Sequence, residues 1–179
     1  MDNGMRLLFG STCIAVLVSA QAPAQQPANP LVAGQEAVYS TIKNNLIRAA
    51  EKMPEENYSF RPTPEVMSFA EMVGHVADSQ YTYCYSVTGE RLPAPGLQKA
   101  KKTKAELVEG LKQAFSLCDQ AIAGLTDAKA LELVPLFGRR QPRLTILTFN
   151  TAHNDEHYGN LVTYMRMKGL VPPSSEGRK

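Results

Sequence analysis

Apolar residues recur at three- and four-residue intervals in four separate stretches of this 179-residue chain. That spacing lays a stripe along one face of an α-helix. The first stretch, residues 31–53, carries Val38, Ile42, Leu46, Ala49, Ala50 and Met53, and Pro54 ends it. The second opens at Ser68, which fits a capping box with Glu71, flanked by Met67 and Met72 as a hydrophobic staple, and Gly89 ends it. The third opens at Thr103 with Glu106 as a second capping box, and Leu107, Leu111, Ala114, Phe115, Cys118, Ile122 and Leu125 trace its stripe. The fourth begins near Leu144 or Thr145. It sets Ile146, Leu147, Asn150, His153, His157, Leu161 and Tyr164 on one broad face and stops at Lys168 and Gly169. Residues 55–67 read as extended or turn-like and residues 126–143 as irregular, with no strand pattern. The expected fold is all-α, a bundle of four long helices.

The connection over residues 90–102 is long for antiparallel neighbours in a bundle. It is long enough to return the chain to the other end, so that the second and third helices run parallel. Cys84 lies sixteen residues past the Ser68 cap and Cys118 fifteen past the Thr103 cap. In parallel helices with level starts, the two sulfurs then stand at about the same height, at ~1.5 Å per residue. A disulfide is the preferred reading, and two reduced thiols packed as small hydrophobes are the alternative. Neither cysteine belongs to a Cys-x-x-Cys pair.

Residues 1–24 read as a signal peptide, with a short start carrying Arg6, an apolar run over residues 7–20 and the small-residue pattern Ala22-Pro23-Ala24. The run is short of the ~20 residues that a membrane span needs. Cys13 lies inside the run, so a lipoprotein anchor is not supported. An amphipathic helix of a cytosolic protein is the competing reading. The expectation is a periplasmic or secreted protein, with no membrane segment in the mature form, folded as one domain over residues 25–179.

The formal net charge is +2, and no basic stripe with interleaved aromatics stands out, so nucleic-acid binding has no support. The cluster at residues 99–104 is short and reads as a solvated loop, and the Arg139-Arg140 pair reads as solvated, with a place at a pocket mouth where it attracts an anion as the alternative. The expected partner is a small-molecule substrate, with a homodimer as the candidate assembly.

The candidate chemistry lies in the histidines, of which the chain has three. His153 and His157 are four apart and share one helix face. His75 lies in the second helix, on a line with Met72, Ser79, Thr82 and Ser86. Inside a bundle such a polar line needs partners, which a metal or a polar pocket would supply. Helices two and four packed face to face would gather all three imidazoles around one divalent transition metal.

The segments Phe60-Arg61-Pro62-Thr63-Pro64, Met72-Val73-Gly74-His75, His153-Asn154-Asp155-Glu156-His157 and Tyr164-Met165-Arg166-Met167-Lys168-Gly169 resemble the DinB-like superfamily, named for damage-inducible bacterial proteins. The family is similar to the mycothiol-dependent isomerases and bacillithiol transferases. The resemblance implies a metal-binding four-helix bundle with parallel second and third helices. It also implies His75, His153 and His157 as ligands to zinc or nickel, with water in the open position. The implied activity is that of a metal-dependent thiol transferase or hydrolase. Export weighs against the transferase branch, because those thiol cosubstrates are cytosolic. Asp78 and Glu156 are candidates for general base or for orienting a ligand, with exposed salt bridges as the alternative for each. Arg61 and Arg166 are candidates for holding an anionic substrate, with structural ion pairs as the default. A non-catalytic metal-binding or stress-associated bundle is the competing function.

Overall fold

The computed structural model describes residues 1, 27–90, 92–100 and 102–177. The expected signal peptide, Met1 apart, lies outside the described residues. Among those described, five helices and one small sheet form the chain: α1 (Pro30–Lys52), α2 (Phe69–Thr88), α3 (Lys104–Ala123), the single-turn α4 (Asp127–Ala130), β1 (Leu133–Leu136), β2 (Arg139–Pro142) and α5 (Arg143–Met167). No helix among them is long and apolar enough to cross a membrane.

Local chemistry sets the helix starts. In the first capping box Glu71 N–H donates to Ser68 Oγ at 3.2 Å and Ser68 N–H donates to Glu71 Oε2 at 2.7 Å. In the second, Glu106 N–H donates to Thr103 Oγ1 at 3.3 Å and Thr103 N–H to Glu106 Oε2 at 2.9 Å. Each box satisfies N–H groups that the first helical turn leaves without partners. Pro30 begins α1, where a missing N–H carries no penalty.

The core gathers the apolar stripes. Tyr39, Leu46, Phe69, Leu107, Phe115 and Leu161 are all at most 2% exposed. Contacts between α1 and α3 run in opposite chain order, from Tyr39 with Asp119 to Glu51 with Lys112 and Lys104. Those between α2 and α5 do the same, from His75 with His153 through Gln80 with Asn150 to Val87 with Arg143. Cys84 and Cys118 face each other at bonding distance with Cα atoms 5.2 Å apart, within disulfide range.

Two expectations are corrected. Residues 133–142 form an antiparallel hairpin in which Leu136 pairs with Arg139 and Phe137-Gly138 makes the turn. Val134 and Leu136 face inward while Leu133 and Pro135 face out. Four residues per strand give too few periods for alternation to register in the sequence. The polar line on α2 is the second correction. Thr82 is exposed and Ser79 and Ser86 are half-buried, so the line leaves the core just past His75. The buried polar residue of α2 is Gln80, one position round the helix and fully enclosed.

Candidate metal centre

The three histidines meet between α2 and α5. His153 Nε2 stands 3.1 Å from His75 Nε2 and 3.0 Å from His157 Nε2. One ligand atom from each of the three lies within 4.8 Å of the others. Protons alone account poorly for this convergence. His75 Nδ1 donates to Gln98 Oε1 at 3.0 Å, which leaves its Nε2 as a bare lone pair. His153 Nε2 then either donates, sharing one proton between two acceptors, or sets its own lone pair against that of His75. A shared cation satisfies all three lone pairs at once. Two nitrogens bound tetrahedrally to zinc at ~2.0–2.1 Å stand ~3.3 Å apart, close to the spacing here. The donor set therefore fits a divalent transition metal.

Burial keeps the ring nitrogens available. Desolvation, then the neighbouring His157 and His75, pushes His153 down to about 4. Desolvation and then His75 also lower His157, against an opposing pull from the Glu156 carboxylate. Both imidazoles are neutral at pH 7, the form that ligates. Their Nδ1 atoms are buried with no partner among the described residues. Of the three rings, His75 is the one whose Nδ1 has a hydrogen-bond partner among the described residues.

That bond comes from the loop between α2 and α3. Asp78, one turn beyond His75, accepts N–H groups from Gly96 at 3.0 Å, Leu97 at 2.9 Å and Gln98 at 2.9 Å. The carboxylate thus fixes the loop segment that presents Gln98. Gly74 makes the close approach possible, since a Cβ there would sit 2.7 Å from the Leu97 carbonyl and the Gln98 nitrogen. The second-helix Met72-Val73-Gly74-His75 motif therefore joins a ligand to the glycine that lets its supporting loop come near.

A buried polar layer lies about one turn from the histidines. Gln80 Nε2 donates to Asn154 Oδ1 at 2.7 Å and to Val76 O at 3.0 Å. Gln80 Oε1 accepts from Asn150 Nδ2 at 2.9 Å. Asn150 Nδ2 also lies 3.7 Å from Cys84 Sγ and 3.8 Å from Cys118 Sγ. The layer cross-links α2 to α5 and so sets the height of His75 against His153. Gln80, Asn154 and Gln98 carried no sequence signal. Each looks like an ordinary surface amide until its neighbours are known.

The remaining candidates separate. Glu156 is exposed at the rim, close enough to the centre to act on His157 and on Tyr83, whose phenol is raised by burial and then by this carboxylate. Arg61 pairs with Glu71 at 2.8 Å. With Lys99 and Gln98 it lines a concavity of about 640 Å³ whose lining includes none of the three histidines. Arg166 donates to Ser175 Oγ at 2.9 Å.

Comparison with known proteins bears on the family and the fold. The family model described as DinB superfamily matches residues 39–161. The uncharacterized protein YjoA of Bacillus subtilis (strain 168) is 28% identical over 123 residues, covering 67% of this chain and 79% of YjoA. A DinB-like protein from Bacillus cereus superposes with a TM-score of 0.69 at 17% identity, over 79% of this chain and 95% of that one. The mycothiol-dependent maleylpyruvate isomerase superposes with a TM-score of 0.61 at 16% identity, covering 73% of this chain and 60% of the isomerase. This chain thus spans less than two thirds of the isomerase's length.

Proposed function

That this chain belongs to the DinB superfamily is the premise from which we propose its function, a metal-dependent enzyme acting on a small molecule. In this reading His75, His153 and His157 hold one zinc or nickel ion. The observation that carries it is the convergence of three Nε2 atoms, two contacts being 3.0 and 3.1 Å, which protons bridge only by sharing one between two acceptors. The bound ion supplies Lewis acidity to a water or a substrate thiol. The residues supply the rest. Gln98 holds the His75 tautomer, burial keeps His153 and His157 neutral, and Glu156 at the rim is the carboxylate free to accept a proton. A thiol transferase or a hydrolase fits this set.

The order of the contacts supports a four-helix bundle of α1, α2, α3 and α5 with α2 and α3 parallel, and the proposed mature domain is residues 25–179. The apolar run over residues 7–20 and Ala22-Pro23-Ala24 support export to the periplasm or beyond. An oxidised Cys84–Cys118 pair fits that destination.

One observation favours a second reading, a non-catalytic metal-binding or stress-associated bundle. Asp78, the carboxylate nearest His75 in sequence, is fully engaged by three backbone N–H groups and is not available as a base. Metal content decides the shared premise. Protein purified without a histidine tag should carry about one transition-metal ion per chain, and His75→Ala, His153→Ala and His157→Ala should each lose it. Metal-free protein that refuses added zinc and nickel would overturn both readings. Loaded protein that turns over no thiol-transfer or hydrolytic substrate would leave the binder.

A further inference from the structure

The tip of the hairpin carries an aromatic residue where the backbone suits it poorly. Phe137 has φ 48° and Gly138 φ 76°, the two left-handed positions of a two-residue turn. Asn, Asp or Gly occupies the first such position with least strain, and a bulky side chain there is an outlier. Burial does not compensate, because Phe137 is 75% exposed. Its ring instead stands edge-on to Tyr83 at 6.1 Å, and the Tyr83 ring lies 5.6 Å from that of His153. Three rings thus connect the hairpin tip to a proposed metal ligand. Strain that persists at one exposed side chain points to a use for that side chain.

Beside this row lies a groove of about 670 Å³, walled by Tyr81, Tyr85, Pro93, Pro135 and Phe137. Thr82 and Ser86 form its floor. Both belong to the α2 line that starts at His75, and Thr82 lies two turns, about 10 Å, along it. Ser79, between His75 and Thr82, is half-buried and Thr82 is exposed, so this line of α2 lies at or near the surface between the histidines and the groove. The walls are apolar or aromatic. Glu90 is the charged side chain among the described lining residues.

We propose that Phe137 and this groove bind the aromatic or alkyl end of an elongated substrate whose polar end reaches the three-histidine centre. The inference rests on the metal-centre reading. It assigns the α2 polar line as the track between the two ends and names the substrate class as a small amphipathic molecule with an uncharged apolar tail.

The test uses cobalt-loaded protein with ethanethiol and 5-phenylpentanethiol as probes. A sulfur-to-cobalt charge-transfer band reports a thiolate on the ion. The phenyl-bearing thiol should bind roughly tenfold tighter than ethanethiol, the gain expected from burying much of a phenyl ring. In Phe137→Asn that ratio should fall towards one, while the melting temperature holds or rises because Asn-Gly suits the turn. No aryl preference in the wild-type protein, or an equal preference in Phe137→Asn, overturns the groove and leaves the metal centre standing. A lower melting temperature in Phe137→Asn with the preference intact means that the ring is structural, which also overturns it. Absence of the cobalt spectrum itself sinks the metal centre, and the groove with it. A cobalt spectrum without a sulfur band from either thiol means a closed centre and overturns the groove alone.

Discussion

Gln98 Oε1 lies 3.0 Å from His75 Nδ1, so a loop residue fixes the tautomer of a histidine 23 positions earlier in the chain. The bond decides which nitrogen of His75 faces His153. Removing the acceptor frees the ring to turn, and metal ligands that lose such a partner typically bind 10- to 100-fold more weakly. Gln98→Leu should show a loss of about that size in zinc competition against a chromogenic chelator, whereas Gln98→Glu, which keeps an acceptor, should retain most of the affinity. A Leu variant that competes as well as wild type would show that packing alone orients His75.

Gly74 gives the same support from below. A methyl group there meets the backbone of Leu97 and Gln98 at 2.7 Å, and backbone cannot rotate away as a side chain does. Gly74→Ala should lower stability by roughly 1–3 kcal/mol, as overpacking does, and should weaken zinc binding as well. Thermal melts and zinc titration read the two effects separately. A variant with an unshifted melt would mean that the loop yields without strain.

Gln80 is fully buried and bonded to Asn150 and Asn154, both also fully buried. Gln80→Leu leaves both asparagines with unmet groups and should cost about 1–3 kcal/mol. The urea midpoint of the metal-free protein measures it. An unchanged midpoint would indicate that the asparagines find other partners.

Cys84 and Cys118 enclose a loop of 34 residues. Oxidised, the pair should contribute about 3–4 kcal/mol, chiefly by restricting the unfolded chain. Mature protein opened in denaturant should then yield no titratable thiol. Cys118→Ala should unfold at the lower denaturant concentration that wild type shows after treatment with a dithiol reductant. Two free thiols per chain in protein prepared without reductant would rule out the oxidised state.

The metal-free centre should also respond to acid. His153 is held near 4 and His157 below its ordinary value in the folded protein, while both recover values of about 6.5 on unfolding. The unfolded chain therefore binds more protons between those limits. Stability should be complete above about pH 6.5 and fall as the pH drops towards 4. Carboxylates such as Glu71, lowered by its capping bond to the Ser68 N–H, add losses at the acid end of this window. The relevant quantity is thus wild type minus His153→Ala, from urea unfolding at several pH values in chelator. A difference that does not change across the window would refute the protonation argument.

Much of the helical framework was legible because it is written locally. A capping box joins residues three apart, and the stripe of Leu107, Leu111 and Phe115 repeats at the helix period, so neither depends on the rest of the fold. The hairpin was not legible. Its strands are four residues long, and its turn uses Phe137 where the familiar signal is Asn or Asp. The α2 polar line misled for a related reason. Periodicity shows which residues share a face, but not how far along that face the cover extends, and here it ends just past His75.

By itself the sequence determined that His153 and His157 share a face, since 3.6 residues per turn leave no other arrangement on a helix. It also determined that Ser68 and Thr103 start helices, and which stripes turn inward, except at Val38 of the first stripe, which is 57% exposed while the neighbouring Tyr39 is buried. The tertiary structure alone decided that His75 comes within 3.1 Å of His153, that Asp78 holds the loop bearing Gln98, and that Gln80 meets Asn150 and Asn154. Those contacts join residues 20 to 78 positions apart. A one-dimensional pattern fixes orientation about each helix axis, whereas the height and approach of one helix against another come from packing of the whole core.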